Sequence, residues 1–321
     1  MRNAYISTLH KLAKSNENIL ALVADNGTIV YDKYREAFPD SFINFGISEA
    51  NMISVAAGLA SCGKIPFAYT IANFLAFRAY EQIRNDVCMQ KMNVKIVGIG
   101  VGFVYSNLGP THHSTEDIAV MRVLPEITIF SPSDPLETVK ATNAAAHIVG
   151  PVYLRLATGG TPKIYENDYE FEVGKGVTLR EGNDMTIIST GSIVHEVMQA
   201  VNELEELGIS VRLINIHTIK PIDREIIIKA AVETQAILTV EEHSITGGLG
   251  GCVAEVLVEE NCVIHSFKRM GLNDVFSQGY GSYQEMKVLN GLSKDDIVKE
   301  TNNLLNAKRR IQPSSSSDSA V

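Results

Sequence analysis

Apolar positions along the chain fall into two alternating patterns. Short continuous runs occur at NILALVAD (18–25), FINFGIS (42–48), IPFAYT (65–70), VKIVGIG (94–100), EITIFSP (126–132) and PVYLRLA (151–157). Each reads as a strand bounded by turn residues. Between them, 1–15, 49–64, 74–91 and 136–149 have helical composition or spacing, with Tyr5, Leu9 and Leu12 sharing a face of the first helix. Strands alternating with helices predict βαβ units and a mainly parallel sheet covered on both faces. The pattern lapses after Thr158-Gly159-Gly160 and resumes with DMTIIST (184–190), a helix from about His195 to Leu207, VRLINIHT (211–218), a helix from about Asp223, and AILTVEEH (236–243). TGGLGGCVAEVLVEEN (246–261) is a glycine-rich turn opening a helix. The expected organisation is α/β, with two consecutive three-layer α/β/α domains at 1–165 and 184–310. A linker at 166–183 joins them, and a polar, low-complexity tail at 311–321 is expected to be disordered.

The length of 321 residues fits two domains. Thirty-seven acidic against 28 basic side chains give a formal charge of −9. That balance provides no broad basic surface and argues against nucleic acid as a main partner. The four cysteines (Cys62, Cys88, Cys252, Cys262) have no CxxC spacing, which fits a reducing cytoplasm. The N-terminal stretch breaks its apolar run with lysine and asparagine, unlike a signal peptide, and no uninterrupted apolar run reaches membrane-spanning length.

Three segments could carry chemistry. Glu49 follows an apolar strand and begins an alanine-rich helix. It is either an acidic residue favoured by the helix dipole or a buried carboxyl that shares a proton with a ligand nitrogen. Phe74, Phe77 and Tyr80 recur at helical spacing, as core or as a slot for a flat heterocycle. SNLGPTHHSTED (106–117) is a polar loop with adjacent histidines, His112 and His113, where no regular element is expected. Adjacent imidazoles on extended chain face opposite ways, so a shared metal is not predicted. A polar loop at a strand end is a common place for catalytic groups. The glycines of GIGVGF (98–103) and TGGLGG (246–251) lack the register of a dinucleotide fingerprint and are read as close-packing positions.

Taken together, GISEANM, PFAYTIANFLAFRAYEQIRND, GPTHHSTEDIAVMRVLP, SPSDPLE and GPVYLRL resemble, in order, the C-terminal half of a transketolase. GSIVHEV, HTIKPID and EEHSITGGLGG extend the resemblance to about residue 310. The resemblance implies a pyrimidine-binding domain followed by a transketolase C-terminal domain, with thiamine diphosphate as cofactor. It implies that Glu49 hydrogen-bonds N1′ of the aminopyrimidine, with desolvation favouring its proton-donating form. Phe74, Phe77 and Tyr80 would surround the ring, and Asp25 would lie near the cofactor. His112, with His113 and Arg2, would contact the sugar. The GDG…N motif that holds Mg²⁺ and the diphosphate in full-length relatives is absent. The chain thus resembles one subunit of a split transketolase, with no metal ligands of its own. It would pair with an N-terminal subunit carrying the diphosphate and Mg²⁺ site, as an α2β2 heterotetramer acting on small sugars. Thr158, Gly100 and Leu108 stand where ordinary sugar-phosphate transketolases carry arginine, histidine and aspartate, which implies a specialised sugar. The runner-up resemblances are to the beta subunit of a thiamine-diphosphate-dependent 2-oxo acid dehydrogenase and to deoxyxylulose-phosphate synthase. A non-enzymatic scaffold with a relict cofactor pocket is the third reading.

Overall fold

The computed structural model describes residues 1–277 and 279–311. The first unit contains α1 (Arg2–Ser15), β1 (Ile19–Val23), α2 (Asp32–Ala37), β2 (Phe42–Asn44), α3 (Glu49–Ser61), β3 (Ile65–Ile71) and α4 (Ala72–Arg78). It continues with α5 (Tyr80–Gln82), β4 (Lys95–Ile99), α6 (Asp117–Arg122), β5 (Thr128–Phe130), α7 (Pro135–His147) and β6 (Val152–Leu156). The second contains β7 (Val177–Arg180), β8 (Met185–Ser189), α8 (Val194–Glu206), β9 (Val211–Asn215), β10 (Thr218–Lys220), α9 (Arg224–Thr234) and β11 (Ala236–Ser244). It ends with α10 (Leu249–Glu259), β12 (Ser266–Leu272), α11 (Tyr283–Leu289) and α12 (Lys294–Ile311). The expected tail lies outside the described residues beyond Ile311, which ends α12.

A seven-stranded sheet runs β10-β5-β6-β4-β3-β1-β2 and a five-stranded sheet runs β12-β11-β8-β9-β7. All pairings are parallel except β10 on β5 and β7 on β9. Every residue of β1, β4, β6, β8 and β9 is buried. That is why these strands read as continuous apolar runs: helices cover both faces. β7 alternates half-buried and exposed positions, as a solvated antiparallel edge does.

Two features depart from the expectations. The helix expected over 74–91 is broken. α4 stops at Arg78, Ala79 takes φ −112° and ψ 16°, and after α5 the chain makes a π-helical turn over Ile83–Cys88. The histidine loop contains a single 3₁₀ turn, Ser106–Leu108, where no regular element is expected.

The units are tied together. β10 follows β9 in the chain but pairs antiparallel with β5 at the edge of the first sheet. Buried Glu137 on α7 accepts hydrogen bonds from Tyr165 and Tyr169 of the connecting segment and from Asn215 at the end of β9. The glycine-rich turn before α10 is closed by the chain itself. Buried Glu241 accepts from the backbone N–H groups of Leu249 and Gly250 at 2.7 and 2.8 Å. A helix N-terminus open to an anion is thereby occupied by an internal carboxylate. A Cβ at Gly248 would lie 2.1 Å from that carboxylate, so close packing accounts for this glycine.

Candidate active site

The segments following β1, β2, β3 and β4 leave the carboxyl ends of neighbouring parallel strands, the usual ligand crevice of such a sheet. β2 ends at Asn44, the chain turns through Gly46 at φ 67°, and α3 starts at Glu49. An acid in that first turn is favoured by the helix dipole. It is also buried, at 4% exposure. Its carboxylate accepts from Arg78 Nη1 at 3.2 Å (Oε1) and 3.4 Å (Oε2). Apolar surroundings are therefore only part of its environment.

Arg78 closes α4, one helical turn beyond Phe74, so the two share a face. Its guanidinium lies 3.8 Å above the centre of the Phe74 ring. The other side of the crevice is His112, whose ring centre is 4.9 Å from that of Phe74, edge on. His112 Nδ1 is within hydrogen-bond distance of Thr111 Oγ1, at 3.0 Å, which leaves Nε2 for a ligand. Burial and then the Arg78 cation push the His112 pKa below its ordinary value. The imidazole is therefore mostly neutral at pH 7. Histidine ring NMR should show His112 titrating below the ordinary histidine value, and Arg78→Met should move it upward. An unmoved titration would remove Arg78 as a cause.

The other expected residues scatter around this core. His113 has a different ring neighbour from those of His112. It is 3% exposed, packs edge on against Phe103 at 5.7 Å, and finds no well-formed hydrogen bond for either ring nitrogen, with the Ser106 backbone as its polar neighbour. The break at Ala79 separates the aromatic trio. Tyr80 packs into the core and donates to the Val120 carbonyl at 2.8 Å, while Phe77 is 43% exposed. Asp25 is exposed at φ 52° and exchanges hydrogen bonds with Asn44, pinning the end of β1 to that of β2. Arg2, at the start of α1, has a buried Nε without a partner. Gly100 is covered by the ring of Tyr105, and Leu108 is largely exposed. Sequence reasoning passed over Arg78 and Tyr105. The spacing of Arg78 from Phe74 was a usable signal, but no spacing announces a pairing with Glu49.

The second unit buttresses the histidine loop. The Tyr280 ring packs on Gly109, within 2.4 Å of where a Cβ would stand, and Gly109 needs φ 78°. Ser244 N–H donates to the Thr115 carbonyl at 2.7 Å. Asn73 on α4 donates to the Thr111 carbonyl at 2.7 Å. Beneath the loop, buried Arg155 donates to Asp117 at 2.9 Å and to the carbonyls of Ser114 and Glu242, both at 3.2 Å. Among the described residues no group of three or more His, Cys, Asp or Glu side chains could hold a metal ion. Nor is any of their helices long and apolar enough to cross a membrane.

Residues 1–162 match the family described as transketolase, pyrimidine binding domain, and residues 174–297 match transketolase, C-terminal domain. A putative transketolase C-terminal section from Methanocaldococcus jannaschii is 43% identical over 302 residues, covering 93% of this chain and 94% of that one. An apulose-4-phosphate transketolase subunit from Actinobacillus succinogenes is 37% identical over 299 residues, covering 93% and 96%. Among solved structures, a split gene transketolase described as an inactive beta4 tetramer superposes with a TM-score of 0.88 at 42% identity, covering 96% of this chain and 99% of that one. Two family matches in sequence order and full-length similarity to separate transketolase subunits lead to one conclusion: the chain belongs to the transketolase family.

Proposed function

We propose that this chain is the C-terminal subunit of a split transketolase, which moves a two-carbon glycolaldehyde unit from a ketose donor to an aldose acceptor. The observation that carries the reading is the convergence of buried Glu49 with Phe74, Arg78 and His112 at the strand ends. The donor set fits the aminopyrimidine half of thiamine diphosphate: a buried carboxyl for a ring nitrogen, beside an aromatic face. The bound cofactor would supply an electron sink for the acyl carbanion equivalent. Glu49 would hold the proton at N1′, Phe74 and Phe77 would flank the ring, and Tyr80 would support them from the core. Asp25 would border the cofactor from the end of β1. His112, neutral and fixed through Nδ1, would offer Nε2 to the sugar oxygen where charge develops, with His113 and Arg2 completing the sugar side. The pyrimidine-holding unit is 1–165; the C-terminal domain expected at 184–310 takes its edge strand β7 (Val177–Arg180) from the stretch 166–183 expected to link the two.

We assign the metal and diphosphate ligands to a partner subunit. The names of the relatives support such a partner, and α2β2 is the assembly we assign. Thr158, Gly100 and Leu108 support a specialised sugar or sugar phosphate, in keeping with a relative named for apulose 4-phosphate. Four free cysteines fit a cytoplasmic setting.

The test combines the purified chain with its partner subunit, thiamine diphosphate and Mg²⁺, and follows ketol transfer between a ketose and an aldose. Transfer is expected only when both subunits are present, with a light-scattering mass of two copies of each. Release of CO₂ from a 2-oxo acid without ketol transfer would overturn the reading in favour of a dehydrogenase subunit.

A further inference from the structure

Two arginine–carboxylate pairs lie around the histidine loop, and they are built differently. Arg155 is buried and bonds Asp117 at 2.9 Å as well as two backbone carbonyls, so it is locked in place. Arg78 has a half-exposed side chain and reaches the Glu49 carboxylate through a single nitrogen, Nη1, at 3.2 and 3.4 Å. Both distances are longer than the about 2.7–2.9 Å of a well-formed charge-assisted bond. Among the described residues no other group donates to that carboxylate. The same guanidinium carbon stands 3.8 Å from the centre of the Phe74 ring, at stacking distance, and its charge is felt by His112. A guanidinium is planar and edged with nitrogen, bonds a carboxylate in its plane and stacks on an aromatic face. An aminopyrimidine can do both things as well, with a ring nitrogen for a carboxyl and a flat face for an aromatic ring. Those are the two contacts that the proposed function gives to the pyrimidine, and they fall on Glu49 and Phe74.

We infer that the Arg78 side chain is a displaceable placeholder for the aminopyrimidine, holding Glu49 and Phe74 in position and moving out to solvent when the ring binds. This rests on the transketolase reading and deepens it, because it gives the site a competitor carried by the chain itself. The physical rationale lies in Glu49. A buried carboxyl without a partner is costly, and the guanidinium offsets that cost. An exposed ion pair and an exposed cation–ring contact are each weak, so an arriving ring can displace them. Arg78 is thus a positioning residue that acts through Glu49 and Phe74. Its departure opposes binding, so the cofactor is held less tightly than the bare seat would hold it.

The test titrates thiamine diphosphate by calorimetry into the complex with its partner subunit and Mg²⁺, as wild type, Arg78→Met and Arg78→Lys. Arg78→Met should bind about tenfold more tightly, the size set by losing one exposed ion pair and one exposed cation–ring contact. Arg78→Lys keeps the charge without the planar face, so its affinity should fall between the other two. A second arm reads the side chain itself by NMR of labelled arginine, with Arg78 assigned by its loss in Arg78→Lys. Its guanidinium resonance should be displaced by the Phe74 ring current before cofactor is added. Thiamine diphosphate should return it to the position of a solvated arginine, whereas inorganic pyrophosphate should leave it unmoved. Equal or weaker binding by Arg78→Met, or a resonance that thiamine diphosphate does not move on binding, overturns the inference and leaves the transketolase reading standing. Failure of all three proteins to bind thiamine diphosphate overturns the transketolase reading, and the inference falls with it.

Discussion

Replacing Glu49 with alanine in the assembled enzyme should lower ketol transfer by about a thousandfold, within the range spanned by loss of a positioned proton-transfer group. Glutamine should do almost the same, because it preserves shape and hydrogen bonding but cannot share a proton with a ring nitrogen. The fold should tolerate both. Arg78, the partner left behind, has a side chain 48% exposed and can return to water. Its loss of a carboxylate should therefore cost well under about 1 kcal/mol. Paired measurements of activity and thermal midpoint separate the outcomes. Full activity in either variant would remove Glu49 from the mechanism, and a collapse of the midpoint would make it a structural residue instead.

Asp117→Ala should be the most damaging single change to stability, by about 3–5 kcal/mol in urea unfolding. Asp117 is fully buried and accepts from Arg155 Nε at 2.9 Å and from the Tyr153 hydroxyl at 2.7 Å. Removing it leaves a guanidinium with 2% side-chain exposure and no carboxylate in direct contact, the buried Glu242 being a neighbouring acid. The double variant Asp117→Leu with Arg155→Met should recover much of the loss, because a buried pair replaced by apolar groups no longer strands a charge. An Asp117→Ala protein with an unchanged midpoint would show that Arg155 finds another acceptor. Arg155 also holds the Ser114 carbonyl under the histidine loop, so Asp117→Ala should weaken transfer even at temperatures where it stays folded.

The alternation of strand and helix was readable because most strands are buried on both faces and so appear as unbroken apolar runs. The break at Ala79 was not readable. Nothing in the sequence of 74–91 forbids a continuous helix, and tertiary packing of Tyr80 against Val120 overrides local preference. The second sheet's β7 is half solvated, so it left only a faint signal within the connecting segment. At the site, Glu49 and His112 stood out through the chain's family resemblance. Arg78 and Tyr105 did not, because their meaning lies in partners brought close by folding: Glu49 is 29 residues from Arg78, and Tyr105 curls back over Gly100.

The strand that leaves the second unit to complete the first has a consequence for synthesis. The outermost position of the seven-stranded sheet is filled by Thr218–Lys220. A ribosome that has released residues 1–165 has therefore produced a sheet whose β5 edge is still bare. That edge is open to strangers until more than fifty further residues emerge. Pausing in the stretch 166–217 would extend the exposure, and protease or chaperone capture should be greatest there. A nick in the same stretch of the finished protein should leave two pieces that co-purify, because β10 and the Glu137 cluster hold them without a continuous backbone.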